Sequence, residues 1–324
     1  MPLSNDPLNR KWLDLTSTNP HLVNEFRPTL VSFLAWNSSM RVKAVGTGFI
    51  VAGDKHHVIV LTAKHVLHGA RDVQRPHPLS APSTLPEFRI ERRLSIAPTA
   101  LQALWLGQND SFMMKIVHVA YTNNGDIGFC ILKSENPDNF SPFSVPLDLQ
   151  TPSIGDTVHM VSCWQNKVSE RARPRRSDGF GQILHIERGV NIRIGSVTGV
   201  HEAGFRQFNY PCFTTSIPAE PGMSGGFVYL PKDGATVAAC GIISADVPAE
   251  MEGRVRENQL QSGESVIACT WPALGFTAPS HKGIPNKSFY DLIKAGEMIA
   301  HGDSLDQFDY RKTEGDDYFL ERKT

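Results

Sequence analysis

The sequence predicts an all-β protein, built as a barrel or a pair of sandwiches. Three observations carry that prediction. Roughly a dozen short runs are rich in β-branched and aromatic residues and bounded by turn formers. The 324 residues include 26 glycines and 22 prolines, enough to punctuate many short strands. Almost no helical periodicity separates the runs, which argues against alternating βαβ units.

The expected strands follow in chain order: TLVSFLAW (29–36), VKAVGTGFIVAG (42–53), HHVIVLTA (56–63), MMKIVHVAY (113–121), DIGFCILK (126–133) and TVHMVSCW (157–164). The second half adds FGQILHIE (180–187), VNIRIGSVTGV (190–200), FVYL (227–230), ATVAACGIISADV (235–247) and SVIACTW (265–271). Helix is expected near the C-terminus, where NKSFYDLIKAGEMIA (286–300) puts Phe289, Leu292, Ile293 and Ile299 near one face. Asn286 or Ser288 could cap it, and it would close the last barrel. The polar end, GDSLDQFDYRKTEGDDYFLERKT, reads as a frayed or partly docked tail. Two loops stand out: the Pro-rich QRPHPLSAPSTLPEF (74–88) and the basic SERARPRRSDG (169–179).

A formal net charge of −1, with 40% apolar and 20% charged residues, gives no field for nucleic acid or an acidic membrane. No apolar run approaches the roughly 18 residues of a membrane span. The start, MPLSNDPLNRKWLDL, lacks a continuous apolar core, so no signal peptide is expected. Cys130, Cys163, Cys212, Cys240 and Cys269 are odd in number and widely spaced, without CxxC or Cys/His pairing. They read as free thiols in a reducing compartment, hence a cytoplasmic protein with no metal and no cofactor.

The chemistry turns on Gly222-Met223-Ser224-Gly225-Gly226. A serine hydroxyl is a poor nucleophile at neutral pH; it needs a base, and the base needs a group that fixes its tautomer. Among twelve histidines, His56 and His57 sit at a turn, and His118, His159 and His185 lie within strands. His65 differs, because it ends the run VIVLTAKHVL, behind a hairpin turning at Gly53-Asp54. Asp126, in NNGDIGFCIL, puts a carboxylate at the mouth of an apolar strand, where a partner such as an imidazole N–H is expected.

Taken together, T-A-x-H, then D-I-G-F, then P-G-x-S-G-G resemble, in that order, the chymotrypsin-like (trypsin-like) serine peptidases. GTGFIV, LTAKHV, GDIGFCIL, PGMSGG and IGDTVHMV resemble bacterial relatives of the HtrA type more closely, over about residues 28–250. The resemblance implies two six-stranded antiparallel Greek-key β-barrels with the active site in the cleft between them. Its units would be an N-terminal extension (1–27), a first barrel with His65 and Asp126 (28–145), a second with Ser224 (146–275), and a C-terminal helix and tail (276–324).

It also implies Ser224 as nucleophile, His65 as general base and then acid, and Asp126 as the orienting carboxylate. The N–H groups of Gly222 and Ser224 would form the oxyanion hole. Ser244, Ala245 and Asp246 in GIISADV would line the path of a polypeptide substrate, which pairs there as an added strand. Pro218, six residues before the serine, stands where trypsin has an acid, so a Lys or Arg preference is unsupported and an apolar or small P1 residue is expected. Met223 stands where secreted members have the aspartate that takes a newly cut N-terminus, so that activation route is closed. About 75 residues follow position 250, too few for a PDZ domain after a last strand and helix. A protein activator acting through the C-terminal region is expected as a possible partner.

Two other readings use the same residues. Gly222–Gly226 also satisfies G-x-S-x-G, the nucleophile elbow of α/β-hydrolases, but GGFVYLPKDG after the serine reads as strand and turn where the elbow needs a helix. A catalytically silent trypsin-fold module for binding or sensing is the other.

Overall fold

The computed structural model describes residues 12–36, 42–68, 90–92, 101–108, 111–122, 125–171, 183–206, 208–232, 236–246, 263–280, 286–302, 304–312 and 318–323. Its twelve barrel strands are numbered here in chain order. The first barrel has β1 (Leu30–Trp36), β2 (Val42–Gly53), β3 (His57–Thr62), β4 (Leu101–Leu106), β5 (Ser111–Thr122) and β6 (Gly128–Lys133). The second has β7 (Thr157–Arg171), β8 (Ile183–His201), β9 (Cys212–Thr215), β10 (Phe227–Tyr229), β11 (Ala239–Asp246) and β12 (Ser265–Cys269).

Every neighbour in either ring is antiparallel, and each ring closes on itself. The first runs β1-β2-β3-β6-β5-β4 and back to β1. The second runs β7-β8-β9-β12-β11-β10 and back to β7, the same circular order one barrel later. Closure removes the exposed sheet edges that would otherwise template aggregation. The barrels share one continuous core, and aromatic rings join them. Phe227 of β10 lies 5.2 Å from Phe49 of β2 and 5.6 Å from Phe26, the last residue of the helix Pro20–Phe26.

Four elements differ from the sequence-based expectation. LQALWL (β4) and CFTT (β9) are barrel strands that the pattern did not announce. The run at 190–200 and the described part of the run at 180–187 are one long strand, β8, which continues through Gly189 opposite Trp164, where the register with β7 shifts. The C-terminal helix covers only Phe289–Lys294. Ser288 caps it by accepting the Asp291 amide at 3.0 Å, while Lys287–Ser288 pairs with Thr277–Ala278 as a small strand. Gly296, at φ +74°, turns the chain out of the helix, and the Glu297 amide returns to the Leu292 carbonyl at 2.9 Å. The helix also packs elsewhere than expected: Phe289 lies 5.2 Å from Phe129 of the first barrel, which Phe276 also contacts at 4.8 Å.

The tail is docked. Phe308–Lys312 and Tyr318–Arg322 form a hairpin that buries Phe308 and Leu320, and Arg322 Nη1 donates to Thr151 Oγ1 at 2.9 Å. The N-terminal extension is fastened to the second barrel, with Leu13 opposite Ile194 and Asp14 opposite Arg193 of β8. The Pro-rich loop at 74–88 and residues 172–179 of the basic loop lie outside the described residues; β7 runs on to Arg171.

Phe289 is fully buried at the junction of C-terminal segment and first barrel. Phe289→Ala should cost about 3–5 kcal/mol of unfolding free energy, measured by urea denaturation.

Candidate active site

The end of β3 delivers Thr62-Ala63 and then a helical turn, residues 64–68, whose second residue is His65. Asp126 sits just before β6, the neighbour of β3, so strand pairing brings the two together: Thr62 lies opposite Gly128. His65 Nδ1 is 2.8 Å from Asp126 Oδ2, and the His65 amide donates to Asp126 Oδ1 at 3.0 Å. The Lys64 amide donates to the Asp126 carbonyl at 3.2 Å. One carboxylate thus grips both the ring and the backbone of the histidine. The carboxylate is 15% exposed and the imidazole 48%, so the ring reaches solvent while its partner lies behind it.

A third donor comes from the second barrel. Ser244 Oγ donates to Asp126 Oδ2 at 2.5 Å, and the Tyr210 hydroxyl is 2.6 Å from Ser244 Oγ. A β-bulge makes this possible. On β11, Ile243 pairs with Ile267 and Ala245 with Val266, so Ser244 is the extra residue between two register positions. Its side chain is 1% exposed and turned inward, which differs from the expectation that it lines a substrate path. Burial alone would raise the Asp126 pKa. The His65 charge, its ring hydrogen bond, the Ser244 hydroxyl and the His65 amide together outweigh that, and hold the carboxyl below its ordinary value. Burial, then the Asp126 charge, push the Tyr210 phenol well up, so it stays a neutral hydrogen-bonding group.

Ser224 is half-buried and fixed through its backbone. Its carbonyl accepts the Thr47 amide at 2.8 Å. Gly46 makes that approach possible, because a Cβ there would stand 2.4 Å from Val66 Cγ2 and 2.8 Å from the Ser224 carbonyl oxygen. Gly225, at φ +85°, is similarly constrained: a Cβ would meet the Thr47 carbonyl at 2.0 Å and Thr62 Oγ1 at 2.2 Å. The serine loop therefore rests directly on the segment that carries His65. Thr47 is the fastening that sequence reasoning missed. Its hydroxyl donates to the Gly222 carbonyl at 2.8 Å and accepts the Cys163 amide at 3.0 Å, while its carbonyl accepts Thr62 Oγ1 at 2.6 Å. It stands inside GTGFIV, and the only sequence signal was a hydroxyl in an otherwise apolar strand.

The amides of the serine loop divide into two groups. Met223 donates to the Glu220 carbonyl at 3.0 Å, Gly225 to Ile243 at 2.7 Å and Gly226 to Met223 at 3.0 Å. Among the described residues, those of Gly222 and Ser224 have no such acceptor. Gly222 has φ +94°.

The remaining candidates separate. The Pro218 carbonyl accepts Arg193 Nη1 at 3.0 Å, and the Glu220 carboxylate is held by Arg193 Nη2 at 2.7 Å. Ala245 is partly exposed; Asp246 pairs with Ser265, and its side chain lies outside the described residues. Of the other histidines, His159 Nδ1 is 2.7 Å from the Tyr229 hydroxyl and His118 packs on Phe129, 5.4 Å between ring centroids. The chain after the serine runs into β10, a strand, so the hydrolase elbow has no counterpart here. Among the described residues no cluster of His, Cys, Asp and Glu could hold a metal ion, and no helix is long and apolar enough to cross a membrane.

Two closed six-stranded barrels in this order, joined beside a histidine–aspartate pair, define the double-barrel class to which chymotrypsin-like peptidases belong. The family model of the trypsin-like peptidase domain matches residues 46–238, more than half of the chain, and the chain belongs to that family of serine peptidases. Among solved structures it is similar to that of GrC (13% identity, 76% of this chain and 91% of the other, TM-score 0.43). It is also similar to the MamO protease domain from Magnetospirillum magneticum in its apo form (14% identity, 77% and 94%, TM-score 0.39). Likenesses at those scores carry no inference about this chain. No curated protein matches.

Two outcomes are expected of this geometry. Thr47→Val keeps the shape but removes the hydroxyl's bonds to the Gly222 carbonyl and the Cys163 amide. It should cost about 1–3 kcal/mol in urea denaturation. The lowered Asp126 pKa contributes stability that is fully present above its unfolded-state value near ~4, and lost as pH falls through the folded-state value. Asp126→Asn should therefore flatten the acid limb of stability against pH, read from denaturation midpoints between about pH 3 and 7.

Proposed function

We propose that the chain is a serine endopeptidase in which Ser224, His65 and Asp126 act as a triad. The observation that carries this reading is the two-point grip of Asp126 on His65, at the ring and at the amide. It fixes the ring with Nδ1 toward the carboxylate and leaves Nε2 for another partner. The serine loop, packed on the same segment, would supply that partner, and its spare amides at Gly222 and Ser224 support a role as oxyanion donors.

In the proposed reaction, Ser224 Oγ attacks the peptide carbonyl while His65 Nε2 takes its proton. The carbonyl oxygen becomes an oxyanion held by the Gly222 and Ser224 amides. Its collapse expels the amine, which takes the proton back from His65 and leaves an acyl-enzyme. Water, deprotonated by His65, then releases the acid and restores the serine. Asp126 stays ionised throughout, and the Ser244 hydroxyl helps keep it so.

Substrate would add as a strand along Ala245 and Asp246. On the β10 side, pairing of β11 ends where the Ile243 amide and carbonyl are taken by Gly226 and Gly225, and no described strand covers the edge beyond. Because the Glu220 carboxylate is bound to Arg193 and position 218 is proline, an apolar or small P1 residue fits better than Lys or Arg. Control by a protein activator through the C-terminal segment belongs to the same proposal. That segment touches the first barrel at Phe129 and pairs through Ala300–His301 with Leu147–Asp148. The reducing, cytoplasmic setting is likewise proposed, with all five cysteines free and buried as support.

A fluorophosphonate probe should label the protein, and Ser224→Ala should abolish labelling. Ser224→Ala or His65→Ala should lower kcat on an unstructured polypeptide by about four or more orders of magnitude. The rate should rise with pH through a pKa near ~7, that of a histidine base. Absence of Ser224-dependent labelling, even with cell extract added, would overturn the reading and leave a silent binding module.

A further inference from the structure

A buried arginine lies beneath the serine loop, and neither the triad nor the oxyanion donors use it. Arg193 is on β8, with its side chain 2% exposed. It touches two separate pieces of chain, residues 218–220 and Trp12. Nη1 donates to the Pro218 carbonyl at 3.0 Å, and Nη2 donates to Glu220 Oε1 at 2.7 Å. The guanidinium carbon lies 4.5 Å from the centroid of the Trp12 ring. Glu220 continues the chain of contacts toward the serine: its carbonyl accepts the Met223 amide at 3.0 Å, and its own amide points at Met223 Sδ at 3.3 Å. Met223 is fully buried, between the two residues whose amides are spare.

The N-terminal segment meets β8 at this same place. Asp14 lies opposite Arg193, the Leu15 amide donates to the Ile192 carbonyl at 2.8 Å, and the Ile192 amide donates to Thr16 Oγ1 at 3.1 Å. This zipper carries Trp12 onto the guanidinium face and shields it from water. A guanidinium out of water gains from each acceptor it meets, and its planar fork holds two acceptors at fixed spacing. The arrangement of 218–220 that meets Nη1 and Nη2 is therefore favoured over others, and it sets the turn that presents residues 222–224.

We propose that Arg193 is a positioning residue for the oxyanion loop, and that the docked N-terminal segment, through Trp12, holds Arg193 in place. It rests on the serine-peptidase reading for its effect on rate, but not for its effect on the loop. Met223 has no charge with which to receive a chain terminus. In this chain the bracing charge pair is internal, Arg193 with Glu220, and the N-terminal segment acts by stacking and strand pairing.

The test uses the full-length protein and four variants: Arg193→Met, Arg193→Lys, Glu220→Gln and Trp12→Ala. Hydrogen–deuterium exchange is followed in the peptide spanning 218–226, with peptides of β3 and β6 as internal reference. Expected is exchange at least tenfold faster in 218–226 for Arg193→Met, with smaller increases for Trp12→Ala and Glu220→Gln. Arg193→Lys should fall between wild type and Arg193→Met, because an ammonium keeps the charge but loses the fork. The reference peptides should be unchanged. Fluorophosphonate labelling should slow in the same rank order, through the acylation rate and not through probe affinity.

Unchanged exchange in 218–226 for both Trp12→Ala and Arg193→Lys would overturn the proposal. If Arg193→Met loosens the whole protein, the two milder variants decide. Loop loosening in the variants of a protein whose wild type no probe labels would support the brace while refuting the peptidase reading; labelling of the wild type with a loop indifferent to the substitutions would do the reverse.

Discussion

The site depends on how one buried residue, Thr47, ties the two barrels together. All three of its polar atoms are engaged, with four partners: its amide by Ser224, its carbonyl by Thr62, and its hydroxyl by both Gly222 and Cys163. Three of these partners lie in the second barrel and one in the first. With no exposed surface, none of these groups can exchange a lost partner for water. A shift of one barrel against the other would break several buried hydrogen bonds at once. The seat of the serine loop against the end of β3 is thus set by directional bonds, which fix a distance more sharply than the aromatic packing of Phe26, Phe49 and Phe227 alone.

The barrels repeat one circular strand order but use it differently. In the first, pairing of β3 with β6 puts a histidine and a carboxylate at the ends of neighbouring strands, so sheet register itself makes the pair. In the second, the serine loop lies before the shortest barrel strand, β10, and is stabilised by turns. The bulge at Ser244 ties the second barrel back to the carboxylate of the first. Asp126 can be buried as an anion because donors from both barrels converge on it; any one alone would leave burial dominant.

Much of this was legible in the sequence, for physical reasons that also explain what was not. His65, Asp126 and Ser224 each sit at a break between an apolar run and a turn, where a polar side chain stands out. The barrels were legible because most strands are β-branched runs between turn formers. LQALWL was overlooked as an apolar run beside a stretch of ambiguous composition, and CFTT because four residues with two threonines carry no periodicity. Thr47, Tyr210 and Arg193 were invisible for a different reason. Each lies in or beside a strand where a polar residue ordinarily faces solvent, and only the closure of the barrel turns it inward. The helix was overextended because Gly296 reads as one tolerated glycine in a helical pattern, whereas in the fold it is the left-handed stop.

The replacement of an acid by Met223 changes how the serine loop can be held. An aspartate there would be a buried charge dependent on an arriving amine, whose own protonation fails as pH rises through about 8. A buried methionine needs no ionic partner; it anchors the loop by packing, and its amide and sulfur meet the carbonyl and amide of Glu220. The ionic part moves three residues upstream to Glu220, which faces the planar guanidinium of Arg193. On the proposed brace, the loop's order is therefore uncoupled from both chain cleavage and the titration of a terminal amine. The pH dependence left to the site is that of the histidine–aspartate pair itself.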